Sequence, residues 1–158
     1  MTAEEFNALF RAQLTELTRF LARRVEPGAV EDIASELFAL AWQKRSQIPS
    51  GLELPWLYKS ARYLISNHNR KEAGRSSILQ TLSEPVAAPS AEAIAIADLE
   101  LARAWSELAA RDREVLGLWA LEGLGTKEVA AALGIGLNAA NIRLSRAKKN
   151  LLNNLENS

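Results

Sequence analysis

The 158-residue sequence contains no cysteine, one histidine and no apolar run of about eighteen residues. The missing cysteine excludes disulfides, thiol nucleophiles and cysteine-based zinc sites, and it fits a reducing cytoplasm. A single histidine, His68, excludes a histidine-rich metal site, so we expect no metal and no cofactor. The amino terminus also lacks the basic start and apolar core of a signal peptide. We therefore predict a cytoplasmic protein without membrane insertion.

Strand signals are scarce as well, because β-branched residues do not alternate with polar ones over any sustained stretch. Apolar residues instead recur at helical spacing, and they are frequent enough to form a packed core. The pattern predicts an all-α fold. One apolar stripe includes Phe6, Leu14 and Leu21 and ends before Pro27-Gly28. A second helix is expected from about residue 30 to residue 44, and a third after Pro55.

Helical periodicity fades after residue 72, where two prolines and several small residues follow. This composition predicts a flexible linker over residues 73–92. The linker would join an N-terminal helical domain, residues 1–72, to a C-terminal domain, residues 93–158. We expect four helices in the C-terminal domain, the first of them capped by Ser90.

The net charge is zero, but the charges are sorted along the chain. Residues 56–76 contain five basic side chains and one acidic one, and residues 137–152 contain four basic side chains and no acidic one. One acidic block lies between residues 26 and 36, and a second lies between residues 84 and 107. Two basic segments separated by acidic ones indicate two contacts with a polyanion and at least one contact of another kind.

The segment TKEVAAALGIGLNAANIRLSRAKK, residues 126–149, has the pattern of a helix, a glycine turn at Gly134 and a second helix. Small alanines before the turn would let the two helices cross closely, as in a helix-turn-helix, whose second helix enters the major groove. A basic helix face alone is more often a solvated surface, but the turn and the alanines favour DNA binding. The candidate DNA contacts are Asn138, Asn141, Arg143, Arg146 and Lys149.

The third helix, WLYKSARYLISNHNRK, mixes cations with aromatic rings and amides. Bases of single-stranded nucleic acid can stack on such rings while the cations follow the backbone. The alternative is that the aromatic residues are core and the basic residues are only solvated. The candidate contacts are Trp56, Lys59, Arg62, Tyr63, Asn67, His68, Arg70 and Lys71.

These segments, together with DIASELFALAW from Asp32 to Trp42, resemble the bacterial extracytoplasmic-function (ECF) sigma factors of RNA polymerase. The resemblance covers roughly residues 17–71 and 101–152. It implies an alternative sigma factor that directs core RNA polymerase to specific promoters. It also implies that the third helix captures the melted proximal promoter element, that the helix-turn-helix binds the distal element, and that an anti-sigma factor is a partner. The resemblance further implies that the clamp coiled coil of the largest polymerase subunit is contacted by four residues of this chain. They are Asp32, Ser35, Glu36 and Phe38.

Three other functions are less consistent with the sequence. A stand-alone helix-turn-helix regulator would leave the acidic helix and the aromatic and basic third helix unexplained. An enzyme is not expected, since no second titratable residue stands at an orienting spacing from His68. A helical interaction module without nucleic acid is disfavoured by the two separate basic segments.

Overall fold

The computed structural model describes residues 1–74 and 85–157, and every regular element in these two ranges is a helix. The all-α prediction is therefore confirmed. The chain forms two compact units, Met1–Val86 and Ala87–Ser158. None of the described helices is both long enough and apolar enough to cross a membrane.

The N-terminal unit contains three helices: α1 (Ala3–Ala22), α2 (Pro27–Gln43) and α3 (Glu53–Glu72), with a 3-10 turn at Arg45–Gln47. The helix α1 already ends five residues before Pro27, and this proline is the first residue of α2. Its fixed φ suits that position, and the amide that it lacks would have no partner there. The second helix thus begins three residues earlier than the sequence predicted.

The core of the N-terminal unit is formed where the three helices meet, and Phe6, Phe20 and Leu37 are completely buried in it. Leu14 was predicted to belong to this core, but it is 44% exposed. Each step of four residues turns about 40° further around an α-helix, so Leu14 lies about 80° away from Phe6 at the edge of the apolar stripe. The prediction for Leu14 was wrong for that reason.

The C-terminal unit contains α4 (Leu99–Ser106), α5 (Ala110–Leu116), a π-helical turn at Gly117–Leu121, α6 (Thr126–Leu133) and α7 (Leu137–Glu156). The helix α7 contacts α4, α5 and α6, so it is the central helix of the unit. The prediction of four helices is confirmed.

Ser90 does not cap the first of these helices. Its hydroxyl oxygen accepts a hydrogen bond from Ala93 N at 3.1 Å, which closes a single turn. That turn does not continue, because Ala95 has a φ of +54°, outside the right-handed helical region. The helix α4 begins only at Leu99, where the Asp98 carboxylate accepts from Leu101 N at 2.9 Å.

Residues 87–91, which the sequence analysis assigned to the linker, are packed against the C-terminal unit. We call this segment the strap. Ala87, Pro89 and Ala91 are buried, and the indole N–H of Trp105 donates to the Pro89 carbonyl at 3.0 Å. Residues 75–84 of the predicted linker lie outside the described residues.

Candidate nucleic-acid interface

The turn between α6 and α7 depends on Gly134, which has a φ of +68° and a ψ of +34°. Gly134 N donates to the Ala131 carbonyl at 3.2 Å, and Ile135 N donates to the Ala130 carbonyl at 3.0 Å. This pair of bonds is the Schellman motif, which ends a helix at a left-handed residue. The left-handed turn that the sequence predicted at Gly134 is confirmed.

Small side chains lie where α6 and α7 pack together. Ala132, Ala140 and Ala147 are completely buried, and Leu144 is 5% exposed. Alanine lets two helix backbones approach closely, and close packing fixes the rotation of α7 about its own axis. One side of α7 therefore faces the core and the other faces solvent.

The solvent-facing side of α7 carries the residues that the sequence selected for the distal contact. Asn138, Asn141, Arg146 and Lys149 are exposed, and Arg143 is half-buried. We call these five residues the α7 surface. Its amide and guanidinium groups suit base edges and phosphates. The neighbouring Lys148 is placed differently, because its Nζ lies 3.8 Å from the centroid of the Trp119 ring.

Five of the predicted proximal contacts lie on one side of α3, since their spacings of three and four residues follow the helical repeat. We call this set the α3 stripe. Tyr63 in this set is 50% exposed, and the Arg70 guanidinium donates to Asn67 Oδ1. Rings, amide and cations thus alternate along a single line, as expected for a surface that stacks bases. The members are Trp56, Lys59, Tyr63, Asn67 and Arg70.

Two of the other predicted contacts lie away from the α3 stripe. Arg62 is only 5% exposed, and its guanidinium donates to the Pro85 carbonyl at 2.8 Å. In this conformation it is buried in the protein and not presented to DNA. His68 has a ring nitrogen 2.9 Å from the Glu26 carboxylate, and 19% of its side chain is exposed. The third, Lys71, is exposed on the last turn of α3.

A groove of about 480 Å³ separates α2 from the carboxyl half of α3. Asp32 and Glu36 line its α2 wall, and Arg70 and Lys71 line its α3 wall. The acidic surface of α2 therefore adjoins the basic end of α3. Asp32, Glu36 and Lys71 are exposed at this groove, whereas Arg70 is half-buried and bonded to Asn67 Oδ1.

Ser35 and Phe38, the other two residues of α2 that are predicted to contact polymerase, differ in their surroundings. Ser35 is exposed. Phe38 is 41% exposed, while its ring packs edge-on against Phe6 and Phe10, with centroid distances of 5.3 and 5.1 Å. Phe38 is thus partly a core residue, and only one part of its ring is accessible to a partner.

The contact between Glu26 and His68 was not found from the sequence, because 42 residues separate the two side chains. Glu26 is the N-cap residue of α2. A backbone hydrogen bond and the neighbouring imidazole of His68 hold the pKa of the Glu26 carboxyl below its usual value. A titratable partner of His68 is therefore present in the fold. Glu72 also lies close to His68, one helical turn away, so the expectation of no titratable residue at an orienting spacing from His68 was wrong.

Comparison with known proteins identifies the family. The family model for region 4 of sigma-70 matches residues 98–151, from the start of α4 into α7. The chain is also 33% identical over 138 residues to the ECF RNA polymerase sigma factor SigF of Caulobacter vibrioides, and the match covers 85% of this chain and 76% of that protein. The chain belongs to the ECF RNA polymerase sigma factor family. The resemblance stated from the sequence is confirmed.

A second relative of this ECF-family chain is named "Probable RNA polymerase sigma factor RfaY", from Xanthomonas campestris pv. campestris. It is 33% identical over 145 residues, which make up 85% of this chain and 36% of that protein. The chain thus spans only about a third of the length of this relative, whereas it matches most of SigF.

Two solved structures share the fold of this ECF-family chain. One is the sigma factor RpoE from Bartonella quintana in complex with the anti-sigma factor NepR, with a TM-score of 0.66, 23% identity and coverage of 98% of both chains. The other is CnrH in complex with the cytosolic domain of CnrY, with a TM-score of 0.67, 19% identity and coverage of 99% of this chain and 91% of that one. At these identities the likeness concerns the fold.

Proposed function

We propose that this chain is an alternative sigma factor that directs core RNA polymerase to specific promoters in the cytoplasm. The observation that carries the proposal is the helix-turn-helix of α6 and α7. Its left-handed Gly134 and buried alanines turn the α7 surface outward in a chain of the ECF sigma factor family. The mechanism consists of binding, and no chemical step is assigned to any side chain.

The α7 surface would contact the distal promoter element. In helix-turn-helix proteins the residues near the start of the second helix reach the base edges, which here are Asn138 and Asn141. Arg143 and Arg146 follow on the same helix, and a bidentate guanidinium contact to guanine is the commonest specific one. Lys149, about one turn beyond Arg146, would contact phosphate. Each neutralised phosphate would add about 0.9 to the slope of log affinity against log salt.

The α3 stripe would hold the melted non-template strand of the proximal element. Tyr63 offers an accessible ring, and stacking of a base on an aromatic side chain is worth about 1–3 kcal/mol. Lys59, Arg70 and Lys71 would follow the backbone. Arg62 could join them only after its bond to the Pro85 carbonyl is broken.

The acidic surface of α2 would contact the clamp coiled coil of the largest polymerase subunit. Asp32, Ser35 and Glu36 are exposed, and they present two carboxylates and no cation to a partner. The partly accessible ring of Phe38 would add apolar contact. A negative surface would repel DNA, so contact with polymerase gives this acidic surface a role in a DNA-binding chain.

An anti-sigma factor would regulate the chain. The two solved structures of the same fold support this proposal, since one is described as a complex with the anti-sigma factor NepR and the other as a complex with the cytosolic domain of CnrY. An inhibitor that covers the α7 surface or the acidic surface of α2 would block DNA or polymerase. We further propose that residues 1–72 form the domain that binds core polymerase and the proximal promoter element, and that residues 93–158 form the domain that binds the distal element.

In vitro transcription tests the proposed function. Core RNA polymerase is incubated with a library of random promoter sequences, with and without the full-length chain, and the run-off transcripts are sequenced. We expect transcripts from a shared bipartite promoter only when the chain is present. Binding of the chain to duplex DNA without any effect of core polymerase would contradict the proposal and favour the stand-alone regulator.

A further inference from the structure

Three potential metal ligands from α2 and α3 meet beside the groove. Glu26 is the N-cap residue of α2, whereas His68 and Glu72 are four residues apart at the end of α3. Residues at this spacing lie on the same side of a helix, one turn apart. Each of the three offers one ligand atom, and these atoms all lie within 4.8 Å of one another.

The distance between the His68 ring and the Glu26 carboxylate suits a shared metal ion. The His68 ring nitrogen and the Glu26 carboxylate oxygen are 2.9 Å apart. Two ligands that each lie about 2.0–2.2 Å from a zinc ion are separated by a similar distance or slightly more. A small rotation of the two side chains would therefore admit an ion in place of the proton that they share. The Glu72 carboxylate approaches the same point from the next turn.

The donor set indicates the class of metal. An imidazole nitrogen is a preferred ligand of zinc, copper, nickel and iron, whereas magnesium and calcium prefer oxygen ligands alone. One imidazole with two carboxylates leaves at least one coordination position open to water or to a partner. The 19% exposure of the His68 side chain still gives an ion access from solvent.

We propose that Glu26, His68 and Glu72 bind one divalent transition-metal ion of the zinc type. The bound ion would connect the start of α2 to the end of α3 and so stabilise the N-terminal unit. It would also neutralise two carboxylates next to Arg70 and Lys71, which would strengthen the positive field at that end of α3. His68 is also a candidate contact with the proximal promoter element, but binding of the ion requires neither DNA nor polymerase, so the two proposals are tested separately.

Titration of the full-length chain with Zn²⁺ tests the site. Isothermal titration calorimetry in a buffer that does not chelate metals should give one saturable site per chain. Replacement of His68 by Ala should abolish it, and Glu26→Gln and Glu72→Gln should each weaken binding at least about tenfold, the loss that is typical even of an outer-shell partner. The matched control is Glu31→Gln, an exposed carboxylate of α2 outside the site, which should bind as the wild type does.

Two further measurements make the result decisive. Thermal unfolding should show a higher Tm with Zn²⁺ for the wild type and for Glu31→Gln. At the same Zn²⁺ concentration the rise should be smaller for Glu26→Gln and Glu72→Gln. Circular dichroism verifies that these variants are folded. Excess Mg²⁺ should not displace Co²⁺, followed by its visible absorption. Equal binding by wild type and His68→Ala, or displacement of Co²⁺ by Mg²⁺ at similar concentration, would overturn the proposal. Transcription without added metal would still test the proposed function separately.

Discussion

The buried carboxylate of Glu114 accepts a hydrogen bond from the backbone N–H of Ala87 at 2.8 Å. Glu114 lies in α5 and is 3% exposed, while Ala87 is the first residue of the strap. Burial of a carboxylate is unfavourable unless its oxygens are hydrogen-bonded. The strap supplies such a bond, so it belongs to the C-terminal unit energetically as well as by position.

We expect Glu114→Ala to lower the free energy of unfolding by about 1.5–3 kcal/mol, the range for a hydrogen bond to a charged group. Urea unfolding of the full-length chain, followed by circular dichroism, measures the loss. Glu156→Gln is the control, since it changes an exposed carboxylate in the same unit and should shift stability by less than about 0.5 kcal/mol. Equal effects of the two substitutions would show that the strap contributes nothing through Glu114.

Gly134→Ala should destabilise the chain by about 1–2 kcal/mol, because a Cβ is unfavourable in the left-handed conformation. Gly28→Ala, in the first turn of α2, is the control. A Cβ built at Gly28 meets no atom within 4 Å, and alanine is favoured over glycine within a helix. The control should therefore leave stability unchanged or raise it slightly. Both values come from the shift in the urea midpoint, and similar costs would contradict the role of the left-handed turn.

The sequence predicted local features better than contacts between distant segments. Gly134 and the two sides of α7 follow from backbone sterics and the 3.6-residue repeat, which a few neighbouring residues determine. The burial of Arg62 was not predicted, because it depends on the Pro85 carbonyl, 23 residues away. The contact between Glu114 and Ala87 likewise joins segments 27 residues apart. Such contacts leave no local pattern in the sequence, so only the three-dimensional structure reveals them.

Arg143→Ala should weaken binding of the polymerase complex to a cognate promoter by about 1–3 kcal/mol if its guanidinium makes a bidentate contact to a base. Lys148→Ala is the control on the same helix, since Lys148 lies over the Trp119 ring. Footprint titrations at fixed salt compare the two variants. We expect the control to change specific affinity little, and a wild-type footprint for Arg143→Ala would refute the assignment of Arg143.

Replacement of both Asp32 and Glu36 by Lys should abolish the complex with core polymerase while the fold is kept. Both side chains are exposed at the groove and neither is part of the buried core, so the charge reversal should act on the partner and not on packing. Size-exclusion chromatography with core polymerase measures co-elution, and circular dichroism verifies the fold.

The matched control reverses the charges of Glu4 and Glu5 on the exposed first turn of α1. It should co-elute normally and lose less than about 1 kcal/mol of stability for each helix-dipole contact. If the Asp32 and Glu36 variant co-elutes like that control, the acidic surface of α2 does not contact the polymerase.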